Sequence, residues 1–300
     1  MRTTTWNGIG TDVNGTTTIN SVLEKAGLNY EVVKQPIYTN FNGNEILVPD
    51  KVATVRKDTG DILGVVSPKY QICQNDEAFD FVDSVDGVEF VKAGQTHTGM
   101  VYVIGKLPEM EVMDDKFTPY LIFQNGHNGM YTLKTTICPL RVVCQNQFNY
   151  AFRESPNTIS IHHSSQYQGR LVEAQRLIQG TVEYMNNFKN TAEELATLKI
   201  GTEDNVRNII NAFFKVKENA TDRQIVTAEE QRTELFNAYM AEDNANFMGT
   251  AWGLVNGFSD YLTHKETKNT KTKDESKFMT VTFDPKMFMM FVNHIKQMAY

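Results

Sequence analysis

Nine apolar residues recur at spacings of three or four: Leu171, Ala174, Ile178, Val182, Met185, Phe188, Ala192, Leu195 and Leu198. That spacing predicts a helix over 169–198 with one drifting apolar face, roughly 45 Å long at about 1.5 Å per residue. A face of that length must be covered, by a sheet of the same chain or by a second copy. Ahead of it the chain alternates as strands do, and behind it the chain reads as helices. This order is an α+β arrangement: an antiparallel β-hairpin-rich sheet in the N-terminal half packed against the long helix, and a helical C-terminal half. Residues 1–200 are expected to form the α+β domain and 201–300 a mainly helical region packed on it.

The finer reading follows local signals. Thr18 to Ala26 predicts a short helix ended by Gly27, and 28–40 a strand broken at Pro36. Residues 45–71 predict a hairpin that turns at Thr59-Gly60. Asp76 to Val85 has helical spacing, and VEFVKAG and MVYVIGKL read as two strands. The central stretch, 117–153, reads as a strand, a turn at NGHNG, a strand interrupted by Pro139, then a short helix opening near Cys144. Residues 158–165 are a last strand or loop. Helices are expected over 202–218, 221–241 and 247–264. Residues 264–278 are charged and aperiodic, a mobile loop. Residues 279–283 read as a strand and 285–299 as a Met-rich helix.

Composition narrows the functional classes. No apolar run approaches the ~18 residues of a membrane span, and MRTTTWNGIGTDV lacks the apolar core of a secretory signal. Cys73, Cys138 and Cys144 form no C-x-x-C pair, which fits a reducing compartment and neither a disulfide framework nor a cysteine zinc site. The net charge of −7 is uneven: −8 over residues 1–115, +4 over 116–172 and −3 over 173–300. Overall acidity speaks against a nonspecific duplex-DNA binder, whose affinity comes from neutralising phosphates. A basic groove on an acidic body remains compatible with it.

Two constellations stand out. In the basic segment, Lys134, Arg141, Arg153 and Arg170 interleave with Phe117, Tyr120, Phe123, Tyr131, Phe148, Tyr150 and Phe152, with His163 following. Cations with exposed rings are what a single-strand groove needs, because phosphates meet the charges while bases stack on the rings. Arg141, just before the expected helix start, would complete a phosphate seat with free backbone N–H groups. The bland alternative pairs Arg141 with a carboxylate and puts the rings in the core. The second constellation is Trp252, Asn256, Asp260 and His264, spaced by four and so on one helix stripe. Asp260 could fix the tautomer of His264 as in a general-base pair, with Asn256 orienting a substrate. The alternative is a buried hydrogen-bond ladder. Gly249, Gly253 and Gly257 would permit close backbone approach on the adjoining face. No metal-ligand spacing appears, and no cofactor or metal is expected.

The chain resembles a phage/plasmid-like family known only as a domain of unknown function. The resemblance rests on WNGIGT (6–11), KAGLNYEV (25–32), DTGDILGVVSPKYQICQN (58–75), QNGHNGM with PLRVVCQNQF (124–148), IHHS (161–164) and GTAWGLVNGFSDYLTH (249–264). The family more often carries an acid where this chain has Asn128, and an arginine where it has His162. The resemblance implies a mobile-element protein of a bacterial cytoplasm. A fainter likeness is to phage single-strand annealing recombinases, which set a β-hairpin sheet against a long helix. Together these lead to the expectation of a single-stranded-DNA-binding protein, a homo-oligomer that anneals strands in recombination or replication, without a membrane. The rival expectations are a non-enzymatic partner of a host or phage protein, such as a host-defence antagonist whose acidic surface mimics DNA, and a nucleotide or phosphodiester enzyme using Asn256, Asp260 and His264.

Overall fold

The computed structural model describes residues 4–113, 115–143, 145–148, 157–161, 167–265 and 273–298, without the side chains of 167 and 168. The chain opens with β1 (Thr11–Asp12) and α1 (Ile19–Lys25). Thr18 caps α1 by accepting from the Ser21 N–H, and Gly27 beyond it takes a positive φ. Then come β2 (Val32–Phe41), β3 (Asn44–Arg56), β4 (Ile62–Val66) and α2 (Asn75–Phe79), followed by a 3-10 turn over Asp80–Ser84. β5 (Glu89–Gln95), β6 (Met100–Lys106), β7 (Met110–Val112), β8 (Asp115–Gly126), β9 (Lys134–Arg141), β10 (Asn146–Gln147) and β11 (Thr158–Ser160) complete the strands. The helices are α3 (Tyr167–Thr197), α4 (Glu203–Phe213), α5 (Asp222–Tyr239), α6 (Ala251–His264), α7 (Lys273–Phe283) and α8 (Lys286–Met298). The fold is α+β, with an antiparallel sheet first and helices after it.

The main sheet runs β1-β5-β6-β8-β9-β10, with β7 beside β8 and β11 beside β9. Both of its faces are covered, so its strands read as apolar runs as well as alternations. From β6, Val101 and Val103 enter the larger core with Phe117, Leu121 and Phe123 of β8, and α3, α4, α6 and α8 close over them. The alternate residues Met100, Tyr102 and Ile104 enter a second core with Ile122, Cys138 and Leu140. Trp6 and Phe278 cover that second face, with the Phe278 ring 5.1 Å from Tyr102. This is why 273–283 is one helix, and neither the end of a loop nor the strand expected over 279–283: Phe278, Val281 and Thr282 turn one helical face onto the sheet. Residues 266–272 of the expected loop lie outside the described residues.

Three further expectations are corrected. Where a helix was expected to open near Cys144, Asn146 and Gln147 form β10 instead, while Cys144 and 149–156 lie outside the described residues. Of the two readings of the interruption at Pro139, an edge or a bend, the edge does not hold, since β9 pairs β8 on one side and β10 and β11 on the other. Pro139 sits opposite Pro119 in the β8–β9 pair, and its carbonyl accepts from the Phe148 N–H, so neither ring nitrogen is asked to donate across that pair. On α3, Val182 is exposed while Leu177 and Tyr184 are buried, so the apolar face passes through Ala174, Leu177, Met185 and Phe188.

The smaller sheet, β2-β3-β4, forms an arm. Asn42 and Gly43, both at positive φ, make the two-residue turn that joins β2 to β3. Pro36 does not end β2. It lies at a register shift, after which the ladder resumes at Tyr38. The arm rests on the NGHNG loop: Thr54 Oγ1 donates to the His127 carbonyl at 2.6 Å, and Tyr70 Oη to the Gly126 carbonyl at 2.9 Å.

Candidate functional site

The basic segment does not converge. Arg141 is 4% exposed. Its Nε donates to Asp115 Oδ2 at 2.6 Å and its Nη2 to the Asp243 carbonyl at 2.9 Å, clipping β8 and β9 to the 3-10 turn over Glu242–Phe247. Arg170 pairs with Asp80 at 3.3 Å, tying the start of α3 to the turn after α2. Tyr131 donates to Thr98 Oγ1 at 2.7 Å and leans on the second core. Lys134 opens β9 and Arg141 closes it, roughly 23 Å apart at about 3.3 Å per residue. Phe117, Phe123 and Phe148 are fully buried. Arg153, His163, Tyr150 and Phe152 lie outside the described residues.

The α6 stripe divides in two. Trp252 is buried, stacked on Phe148 at 5.7 Å and edge-on to Phe188 at 5.8 Å. Asn256 is 1% exposed, and neither its Oδ1 nor its Nδ2 has a hydrogen-bond partner. One turn further, Asp260 and His264 reach a cleft of about 370 Å³ shared with Glu234, Asn237, Ala238, Tyr261 and Lys265. His264 Nε2 lies 3.1 Å from Asn146 Oδ1 but 3.9 Å from Asp260 Oδ1, so its nearer partner is the amide. The glycines do permit close approach: a Cβ on Gly253 would lie 2.1 Å from the Phe247 carbonyl oxygen, and one on Gly257 2.7 Å from Tyr239 Cα.

Two buried networks hold several of the polar residues in the motifs. Gln147 donates its N–H to Thr263 Oγ1, its carbonyl accepts from Ser259 Oγ, and its side-chain oxygen accepts from the Thr5 N–H. The strand β10 is thereby bolted to FSDYLTH of α6. In the other network, Asn75 Oδ1 accepts from Asn125 Nδ2 at 3.1 Å and meets His127 Nε2 at 3.0 Å, while Asn75 Nδ2 donates to the Leu28 carbonyl. Burial pushes the His127 pKa down to about 4, so the ring is neutral and Nε2–H is the donor. The Cys138 thiol is pushed up to about 12 by burial, and Cys73 to about 11, so neither is a thiolate nucleophile near neutral pH. Among the described residues, no three His, Cys, Asp or Glu side chains are grouped to hold a metal ion.

Sequence patterns alone did not single out the α4–α5 region. The end of α4, the loop to α5 and one face of α5 enclose an open cleft of about 710 Å³. Lys215, Lys217 and Arg223 stand on its walls. The half-buried rings of Phe213 and Phe214 line it with the amides of Asn219, Gln224 and Gln231. Glu218 and Asp222 belong to the same turn but do not line the cleft. Thr221 and Gln224 form a capping box at the α5 N-terminus, whose dipole adds positive potential there. The α5 face continues from Gln231 to Glu234 and Ala238, which line the smaller cleft beside Asp260, so the two openings follow one helix. A three-cation signal was visible in KVKENATDR, but only the turn brings the charges to one opening.

A family model described as "Domain of unknown function (DUF932)" matches residues 62–281. No curated protein and no solved structure matches the chain. The matched span runs from β4 to α7 and includes most of both buried networks, the two clefts and the seat of the arm on the NGHNG loop.

Proposed function

The chain belongs to the DUF932 family, and we propose that it is a non-catalytic single-stranded nucleic-acid-binding protein that holds the strand along α5. The observation that carries this reading is the open, cationic α4–α5 cleft on a chain of net charge −7. Lys215, Lys217 and Arg223 neutralise phosphates there, and the edges of Phe213 and Phe214 offer apolar contact to bases. A flexible strand can follow such a cleft with its bases against the rings. A catalytic role draws less support, because Asn256 is 1% exposed and does not line the cleft that Asp260 and His264 reach, and both described cysteines stay protonated. The phage/plasmid-like resemblance supplies a setting, since single strands arise in replication and recombination of mobile elements.

Fluorescence anisotropy with a labelled single-stranded oligonucleotide across a salt series tests this, with duplex as control. The wild type should bind the single strand with a steep salt dependence. Lys215→Ala/Lys217→Ala/Arg223→Ala should bind at least tenfold more weakly and flatten the log–log salt slope by about 2, at about 0.7 for each phosphate that is no longer neutralised. Lys134→Ala, at the far strand, should leave both unchanged. Absence of binding at low salt, or unaltered binding by the triple variant, overturns the reading.

A further inference from the structure

We infer that the β2–β3 arm is a self-association element and that its occupant is the same arm of a second copy. This goes beyond strand binding and does not depend on it. Between Ile37 and Asp50 almost every residue is exposed. Tyr38 is 56% exposed, Phe41 65%, Ile46 47% and Leu47 54%. The register shows how they lie. Tyr38 faces Leu47 across the ladder, while Thr39 faces Ile46 and Phe41 faces Asn44. Opposite residues share a face, so Tyr38 and Leu47 form one apolar face and Phe41 and Ile46 the other. A hairpin that packs on its own body buries one face. Here neither is buried.

The edge of β2 is treated differently along its length. At its base the Gln74 side chain completes both hydrogen bonds of Val32, accepting from its N–H at 2.9 Å and donating to its carbonyl at 2.9 Å. In the middle Pro36 offers no donor. Both are ordinary ways of closing an edge to other strands. Beyond Pro36, none of the described residues covers the edge. A two-residue turn makes Phe41 and Asn44 a hydrogen-bonded pair, so by alternation Tyr38 and Asn40 turn their N–H and C=O groups outward. An edge guarded at base and middle but open and apolar at the tip is suited to pairing.

The partner follows from self-complementarity. Antiparallel pairing of two β2 tips about a two-fold axis at Thr39 sets Tyr38 of each copy against Asn40 of the other, and both sets of outward groups are satisfied. The rings and aliphatic chains of the two copies then adjoin on each face. Glu45 and Asp50 are the only charged side chains from 37 to 50, so little like-charge repulsion opposes the contact.

Sedimentation velocity of the full chain at micromolar concentration, without nucleic acid, reads the mass. The wild type should sediment at twice 34.1 kDa. Tyr38→Ser/Phe41→Ser/Leu47→Ser should sediment at the monomer mass with an unchanged circular dichroism spectrum, because these side chains belong to neither core. Thr39→Cys should form an inter-copy disulfide under a mild oxidant, since it meets itself at the axis, while the wild type stays uncrosslinked. A monomeric wild type, a triple variant that keeps the wild-type mass, or a dimeric Thr39→Cys chain that does not crosslink each overturns the proposal. Because no oligonucleotide is present, these outcomes are separate from those of the strand-binding test.

Discussion

His127 shows at the scale of one residue how a functional-looking side chain is used structurally. Its Nε2 is held by Asn75, its Nδ1 has no partner, and Tyr30 meets the ring edge-on at 6.1 Å between centroids. With a folded pKa near 4 against about 6.5 unfolded, the unfolded chain takes up the proton first as pH falls. The stabilisation is therefore complete above about 6.5 and is lost as pH falls toward 4. Between pH 7 and pH 5 this one ring should account for about 2 kcal/mol. Urea denaturation at the two pH values should show that loss in the wild type and a correspondingly smaller one in His127→Gln. Equal losses in the two proteins would mean that the ring is not buried in its neutral form. The sequence places His127 in the NGHNG turn. Its partner is 52 positions away, and no local pattern links the two.

At the scale of elements, the arm and its seat illustrate a joint built from close backbone approach. A Cβ on Gly64 of β4 would lie 2.5 Å from Asn128 Cα, so the strand sits directly on the NGHNG loop. Gly64→Ala should cost about 1–3 kcal/mol by overpacking at backbone that cannot retreat. Val65→Ala, at a side chain 55% exposed, should stay within about 0.5 kcal/mol. Chemical denaturation of both variants checks the contrast, and similar values would argue against the close seat. The β3–β4 hairpin and its Thr59-Gly60 turn were legible because turn chemistry is local. That β2 runs through Pro36 was not, because a proline is read as a break until the neighbouring strand shows it on an edge. α7 was misread for a related reason: its amphipathic face is short, and only the uncovered side of the sheet gives Phe278 somewhere to go.

At the scale of the molecule, the larger core joins the two halves of the chain. Phe117 and Phe148 from the sheet region meet Phe188 of α3, and Phe148 meets Trp252 and Phe288 of the C-terminal helices. Gln147 and Asn146 add polar bonds to α6. Residues 201–300 would therefore expose one side of this core if separated from the sheet. The two tryptophans report on the two faces, Trp6 in the smaller core and Trp252 in the larger. Single-tryptophan variants, Trp6→Phe and Trp252→Phe, should unfold in urea with the same shape as the circular dichroism trace of each variant, a single cooperative transition. Separate midpoints for fluorescence and circular dichroism would divide the chain into independent units.

The sequence alone determined what depends on near neighbours: the α+β order, the long helix, expected over 169–198 and found at 167–197, the Thr59-Gly60 turn, and the absence of any described helix long and apolar enough to cross a membrane. Periodicity and turn chemistry act over a few residues, so they can be read without the fold. Only the tertiary structure decided how the polar motif residues are used. Arg141 and Asp115 lie 26 positions apart, Asn75 and His127 52, and Gln147 and Ser259 112. A buried polar group needs a partner wherever the chain supplies one, and a one-dimensional pattern contains no distance between such partners. The same limit hid the α4–α5 cleft and the exposed arm. What remains uncovered at the surface is known only once everything else has been packed.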